Sequence, residues 1–583
     1  MMWQEWNDEA FAQARERNVP VLLFIHATWC RWCKQLEHEV LSDDRVRGII
    51  ESRFVSIKVD KDRRPDVEAR FSKGGWPTLA FLDDMSELIA AENFLEVDAL
   101  CNRLELVADH YETSREVIEA RIREADAERV AALEASRVRV GPRARTASLS
   151  LAIVDDVAKT VLDTSDQKYG GWGERHKFPH PEAIDFALVR WTQTGDSQML
   201  DLVLRTLRNM EEGEIHDKTD GGFYRYATQP DWGAPHFEKM LDSNSQRLHA
   251  YLEAYQAVGT ESFRATSIST LDWMQTTLLD EKTQAFRGSQ DADAKFARLK
   301  TREARAQADA PECDPTIYTN WNAMAVSALL KSAQVLGDKS YEQQALRTLD
   351  FLVTKLFDEK RGIYHYWDGA PHLPGMISDH AYTLRALIDA SQYAGETRYL
   401  EVATSLANIS IELLRSESGG FYDTAYDPGA RGGMRRRNRS ILENAVMAEA
   451  LLRLSHLTRQ DDYGDTAREA LTSFVLDYKR YGHFVAGYAR AVDLLFHPPV
   501  HVTIIGRRDD PRTTALSDAA LKPYVASRIV QALDPTTDRK LIERCGLPEL
   551  HEDEPPHAYV HLGRESYAET TDATRLPALM TRT

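Results

Sequence analysis

Two cysteines in Trp29-Cys30-Arg31-Trp32-Cys33-Lys34 are the first residues of the chain whose type and spacing can do chemistry. At a helix start, unpaired N–H groups and the helix dipole favour a thiolate at Cys30, and Arg31 adds positive charge. Cys33, one turn on, is placed to attack a mixed disulfide and release the partner. Pro77, in Gly74-Gly75-Trp76-Pro77-Thr78, is a candidate cis proline that would set the Trp76 backbone against an incoming strand. Cys30 is expected to be the reactive thiol and Cys33 its buried resolving partner. The plainer readings are a disused thiol pair or half of a zinc site. Zinc needs two more ligands, and His26 and His38 supply no recognisable spacing, so no metal is expected.

A second set of reactive side chains lies in the middle of the chain. Lys177 and Phe178 follow Gly170-Gly171-Trp172, and Arg225-Tyr226 follows Gly221-Gly222-Phe223-Tyr224. Then come Pro235-His236-Phe237-Glu238-Lys239-Met240, Asp291-Ala292-Asp293, Trp321, Ser378-Asp379-His380 and Glu443-Asn444. Histidine titrates near neutral pH, so His236 and His380, with Glu238, are the candidate acid–base groups. Lys177, Phe178, Arg225, Tyr226, Asp291, Asp293, Trp321, Asp379 and Asn444 are the candidate substrate contacts. Satisfied structural histidines and capping carboxylates would give the same pattern. The run Arg435-Arg436-Arg437-Asn438-Arg439 reads as a solvated loop.

Elements of two kinds must position these groups. Residues 1–112 alternate helix and strand: a helix over Asp8 to Arg17, an apolar strand at Val21 to Ile25, the cysteine pair opening a helix, and strands at 54–60 and 78–82. A strand, C-x-x-C and helix, with X-Pro-Thr before a later strand, is the thioredoxin arrangement. Residues 113–147 read as a charged helical connector. From 148 to 495, amphipathic stretches follow in pairs, separated by Gly-plus-aromatic turns at roughly 50–75-residue intervals. Six such units argue for a closed (α/α)6 toroid, with the turns supplying aromatic platforms around one pocket mouth. Residues 496–583 read as a small α/β tail. The expected fold class is thus multidomain: thioredoxin-like α/β, central toroid, α/β tail. His236, Glu238, Asp291, Asp379 and His380 are expected to converge on one cavity walled by Phe178, Tyr226 and Trp321.

Composition narrows the function classes. Of 583 residues, 91 are acidic and 72 basic, and the net charge of −19 repels nucleic-acid phosphates and anionic membranes. Five cysteines are too few and too scattered for a secreted disulfide scaffold. No basic stretch followed by an apolar run opens the chain, and no apolar run approaches the roughly 18 residues that span a bilayer. A cytoplasmic protein is expected.

The ordered strings Cys30-Arg31-Trp32-Cys33…Glu37-His38-Glu39, Gly75-Trp76-Pro77-Thr78, Lys177-Phe178-Pro179, Pro235-His236-Phe237-Glu238-Lys239-Met240, Asp291-Ala292-Asp293 and Asn320-Trp321-Asn322 resemble the spermatogenesis-associated, thioredoxin-domain (DUF255) family. The resemblance implies a thioredoxin-like domain fused to a six-hairpin toroid similar to N-acylglucosamine 2-epimerases and mannose isomerases. The resemblance settles architecture more than reaction; the first reading of the residues is an enzyme that epimerises or isomerises a small carbohydrate without a cofactor, with a redox protein as partner for the cysteine pair. A cysteine pair that the family often carries near its C-terminus is replaced here by His561 and Ser566. Two alternatives stand beside this: a glycoside hydrolase with a carboxylate pair roughly 5 Å apart or 6.5–9.5 Å apart, and a non-catalytic thiol-redox or scaffold protein.

Overall fold

A computed structural model describes residues 3–113, 148–548, 554–562 and 565–581, and the single positions 117, 120, 124 and 127. The expected connector over 113–147 therefore lies almost wholly outside the described residues, as do residues 563–564 and the side chains of Glu565 and Ser566. By compactness the chain divides into Met1–Ala147 with Thr424–Asn438, and Ser148–Asp423 with Arg439–Thr583.

The first unit is a thioredoxin-like α/β domain. The apolar run Val21–His26 is a central strand, parallel to Val55–Asp60 on one side and antiparallel to Thr78–Leu82 on the other. An edge strand, Leu88–Glu92, completes the sheet. Its half-buried Leu-Ile-Ala-Ala-Glu sequence has no alternation, which hides it from a periodicity reading. Helix Asp8–Arg17 is capped by Asn7, whose side chain accepts from the Ala10 N–H at 2.9 Å. Phe11 and Ala14 of that helix pack with Val21, Leu23, Ile57, Phe71 and Leu82 into one core. Residues 424–438 are part of this unit, which corrects the solvated-loop reading of the arginine run. Gly433 N–H donates to the Ser86 carbonyl at 3.1 Å, Ser86 Oγ donates to the Arg431 carbonyl at 2.8 Å, and Arg436 pairs with Glu87.

The second unit is mostly helical. Six inner helices, Pro181–Thr194, Leu241–Val258, Thr319–Leu336, Ile377–Tyr393, Ile441–Thr458 and Ala486–Phe496, pack each on the next, and the last packs on the first. That closure is the packing of a toroid. Outer helices back them, and Leu151–Asp163, the first helix of this unit, packs on Ala486–Phe496, last of the ring. Links from inner to outer helices are short because Gly337 ends one helix in the left-handed conformation and Asp338 caps the next, accepting from Ser340 N–H at 2.9 Å.

Residues beyond 496 do not form a separate body. Their sheet, in the order Arg528–Leu533, Val500–Ile505, His557–Leu562, Glu565–Thr570, belongs to the ring's unit. Val530 N–H donates to Gln392 Oε1 at 3.1 Å and Arg490 donates to the Ala526 carbonyl at 2.7 Å, tying sheet to inner helices. Among the described residues, no helix is long and apolar enough to cross a membrane.

Candidate functional site

In the first unit Cys30 is the N-cap of helix Arg31–Gln35, and its Sγ accepts from the Cys33 N–H at 3.2 Å. The two cysteines are joined in a disulfide, and both are buried. The Trp76–Pro77 peptide is cis. Trp29 donates from Nε1 to Asp62 at 2.7 Å and meets Trp76 edge-on at 5.9 Å, while Lys61 Nζ lies 4.8 Å from the Trp76 ring. Trp32, between the cysteines, is 51 % exposed, an apolar side chain in water beside the buried sulfurs. Arg31 is exposed at the start of the same helix.

In the ring, several candidate residues turn out to hold the backbone together. The fourth residue of four inner helices reaches back to the turn before it. Asn244 accepts from the Phe223 N–H at 2.7 Å and donates to the Phe223 and Met240 carbonyls. Asn322 does the same with Phe286 and Tyr318, and Asn444 with Phe421 and Ser440. His380 is the fourth member: its Nε2 accepts from the Ile363 N–H at 3.2 Å and its Nδ1 meets Ser410 Oγ at 2.8 Å. Ser410 Oγ donates to Leu406, so the His380 Nδ1 carries the hydrogen and Nε2 is the acceptor. Burial pushes the His380 protonation down to about 3. The Gly-aromatic turns divide: Phe223, Phe286 and Phe421 are buried under Asn244, Asn322 and Asn444, and Trp172 is buried as well, whereas His483 and Phe484 of the last turn line a central cavity.

Other candidates are likewise committed. Asp379, fully buried, meets His365 Nδ1 at 2.9 Å and accepts from Asn320 N–H at 3.1 Å; burial raises its carboxyl despite His365. Lys177, with no exposed surface, donates to Asp166 at 2.7 Å and to the Gly170 carbonyl at 2.9 Å. Lys239 repeats this with Asp217 and Gly221 one turn later. Asp293 caps the short helix Ala294–Ala297, and Asp291 accepts from the Ala292 N–H. Trp321 is buried against Tyr318, with ring centroids 4.5 Å apart.

One group of candidates does come together. Phe178 stacks on Tyr226 at 4.6 Å, Tyr226 stacks on His236 at 4.3 Å, and Arg225 lies 5.4 Å from the Tyr226 ring. The antiparallel pair Tyr226↔His236 sets this register. His236 Nδ1 is 3.9 Å from Glu238 Oε1. The shelf continues through His180, 6.3 Å from Phe178 and 4.7 Å from His483.

His180 and His483 also line a central cavity of about 360 Å³, which none of His236, Glu238, Asp291, Asp379 and His380 reaches. Its walls are charged side chains at helical spacing on the inner helices: Glu182 and Asp185, His249 and Glu253, Arg385 and Asp389, Glu449 and Arg453. Arg453 pairs with Asp389, Lys331 with Glu253 at 2.6 Å, and Arg490 with Asp185 at 3.7 Å. Glu182 and Arg385 form no ion pair among the described residues; Glu182 is met by a backbone N–H, and Arg385 lies 5.4 Å from the Tyr382 ring. Burial raises the Asp185 carboxyl to about 6 despite Arg490, and raises Glu182 as well. Burial pushes His249 down to about 4 despite Glu253, and burial with His483 pushes His180 to about 3. The signal that marks this site in the sequence is polar residues three, four and seven apart on otherwise apolar helices, such as His249-x3-Glu253 and Tyr382-x2-Arg385-x3-Asp389. Among the described residues no group of three or more His, Cys, Asp or Glu side chains is placed to hold a metal ion.

Residues 1–129 match the protein family described as of unknown function, DUF255. Spermatogenesis-associated protein 20 of Homo sapiens is 24 % identical over 91 % of this chain and 83 % of its own, and an uncharacterized protein of Caenorhabditis elegans is 22 % identical over 80 % and 79 %. Among solved structures, a sugar epimerase from a ruminal bacterium covers 59 % of this chain and 98 % of its own with a TM-score of 0.48 and 11 % identity. A D-mannose isomerase covers 60 % and 98 % with a TM-score of 0.47 and 11 % identity. Along most of its length the chain is similar to spermatogenesis-associated protein 20, with an N-terminal thioredoxin-like domain of the DUF255 kind fused to a distantly related helical toroid.

Proposed function

We propose that the ring binds a small carbohydrate or sugar derivative in its central cavity and epimerises or isomerises it by proton transfer. The observation that carries this reading is the pair Glu182 and Arg385, open charges of opposite sign facing a cavity of about 360 Å³. A sugar hydroxyl both donates and accepts, so it satisfies a carboxylate and a guanidinium together, whereas an ion of one sign satisfies one and opposes the other. The volume lies in the range of small-molecule sites. Phe178, exposed at one end of the stack with Tyr226 and His236, offers a ring face to a sugar's C–H surface. Neutral at pH 7, His249 can take a proton from a carbon beside a carbonyl, and Asp185, with its carboxyl near 6, can return one.

A panel of aldoses and ketoses in D2O, followed by NMR, tests this. Deuterium entering at the carbon next to the carbonyl is the expected result. Arg385→Leu and Glu182→Gln should each lower kcat/KM by about 100-fold, the scale of one lost transition-state contact, without lowering the melting temperature. Release of reducing sugar from glycosides added to the panel, without exchange, would point to hydrolysis by Glu182 and Asp185, one helical turn apart. Neither exchange nor hydrolysis with any sugar would sink the reading.

The disulfide at a helix N-cap favours a second activity, in the first unit: thiol–disulfide exchange with a protein partner. A partner thiolate attacks Cys30 Sγ and displaces Cys33 as thiolate. A second partner thiolate then attacks the mixed disulfide and releases Cys30. The partner leaves oxidised, and the pair has gained two electrons. Exposed Trp32 supplies apolar surface for docking. After reduction, alkylation of Cys30 against pH should titrate below the roughly 8.5 of a free cysteine. An unshifted, slow reaction at both thiols would make this domain a docking module.

A further inference from the structure

The C-terminal sheet has one apolar and one polar face. Val500, Val502, Ile504, Val530 and Val560 enter an apolar core, while the alternate residues His501, Thr503, Gln531 and His561 share the opposite face. His501 and His561 are register partners with ring centroids 5.8 Å apart, and are 0 % and 2 % exposed. Gln531 Nε2 donates to the Leu457 carbonyl at 3.2 Å, which puts this face over the end of inner helix Ile441–Thr458. Arg459 ends that helix in the left-handed conformation.

Five buried polar atoms here have no hydrogen-bond partner among the described residues: His501 Nδ1, His561 Nδ1 and Nε2, Gln531 Oε1 and Arg459 Nε. Each such atom costs about 1–3 kcal/mol when nothing meets it. The charged and titratable groups that act on the two imidazoles are Arg459, His456 and each other, and Cys545 lies against Arg459; no carboxylate is among them. A guanidinium repels a cation, and imidazoles without an acidic neighbour stay neutral until a counter-charge arrives. We propose that this layer is a binding site for a small inorganic anion, held by Arg459 and by the protonated rings of His501 and His561. Binding takes up protons at the two rings, and the second N–H of His501 then serves Gln531 Oε1.

Thermal unfolding of the full chain at constant ionic strength, in sodium gluconate, chloride, phosphate or sulfate, tests the proposal. At least one small anion should raise the melting temperature by about 2–4 °C over gluconate, more at pH 6 than at pH 8 because protons are taken up. A gain with phosphate and sulfate alone identifies an oxyanion, and a gain with chloride a halide. R459L should abolish the gain. Equal melting in all four salts, or an equal gain in R459L, overturns the proposal. Should R459L not fold, wild-type crystals grown in bromide, if chloride gave the gain, or in selenate, if phosphate and sulfate did, provide the second measurement. An anomalous peak between His501 and His561 is expected, and water alone at that point overturns the site.

Discussion

In gluconate buffer, the unfolding free energy of the ring-containing unit should fall by about 4 kcal/mol per pH unit between pH 6 and pH 5. Buried histidines, less what buried carboxylates take back, set that slope, and three of the histidines are the most enclosed. Burial pushes His380 to about 3 and His561 to about 4, and burial with Arg459 holds His501 well below the usual imidazole value. The unfolded chain protonates each of them near 6.5, while the folded chain leaves His380 neutral until about pH 3 and His561 until about pH 4, and holds His501 neutral well below the usual value. Protons therefore favour the unfolded state across that window. The contribution is whole above pH 6.5 and is lost as pH falls, at about 1.4 kcal/mol per proton per pH unit. His180, His216 and His249, pushed to about 3, about 4 and about 4, act in the same direction. Asp185 and Glu443, raised to about 6 and about 7 by burial, oppose them because the folded state holds their protons, and Glu182 and Asp379, which burial also raises, act with these two. Urea midpoints from pH 7 to pH 5 measure the slope, and His380→Asn should reduce it by one proton's worth. A flat profile would show that these rings are charged in the folded protein.

Replacing Asn322 by alanine should destabilise the ring by about 3–5 kcal/mol. The side chain accepts from Phe286 N–H at 2.7 Å and donates to the Phe286 and Tyr318 carbonyls at 2.9 Å, all in a dry interior. Alanine leaves those backbone groups unmet, at about 1–3 kcal/mol each before any relaxation. Asn444→Ala and Asn244→Ala should cost similar amounts. Gly362→Ala tests the corresponding staple at His380. The Gly362 backbone is left-handed at φ +80°, and a Cβ there would stand 2.3 Å from His380 Cε1. Chemical denaturation reads all four variants, and losses below about 1 kcal/mol at the asparagines would mean that the turns stand without their staples.

Much of the architecture is written in local sequence. The Cys30–Cys33 spacing after an apolar strand, the Trp76-Pro77-Thr78 string and the Val21–Ile25 run are short-range signals, and short-range physics governs strands, helix starts and caps. The recurring Gly-aromatic turns mark where outer helix passes to inner helix for the same reason. The edge strand Leu88–Glu92 has no such signal, and its place depends on pairing with Thr78–Leu82. Nor does an arginine run at 435–439 announce Glu87, more than 340 residues away, as its partner.

The assignment of polar residues to the cavity was decided by tertiary structure alone. An inner helix of a closed ring is buried on almost every side, so its sequence does not say which polar residue faces the axis and which faces the outer helix. His380 and Arg385 show the difference within helix Ile377–Tyr393. Five residues at about 100° each place them about 140° apart around the helix. His380 meets Ser410 on the outer helix Arg398–Leu414, and Arg385 lines the cavity. A histidine near a helix start and an arginine farther along are both good site candidates by type. Only the closing of the ring, through the contact of Leu151–Asp163 with Ala486–Phe496, fixes the axis and so decides which of the two meets a ligand.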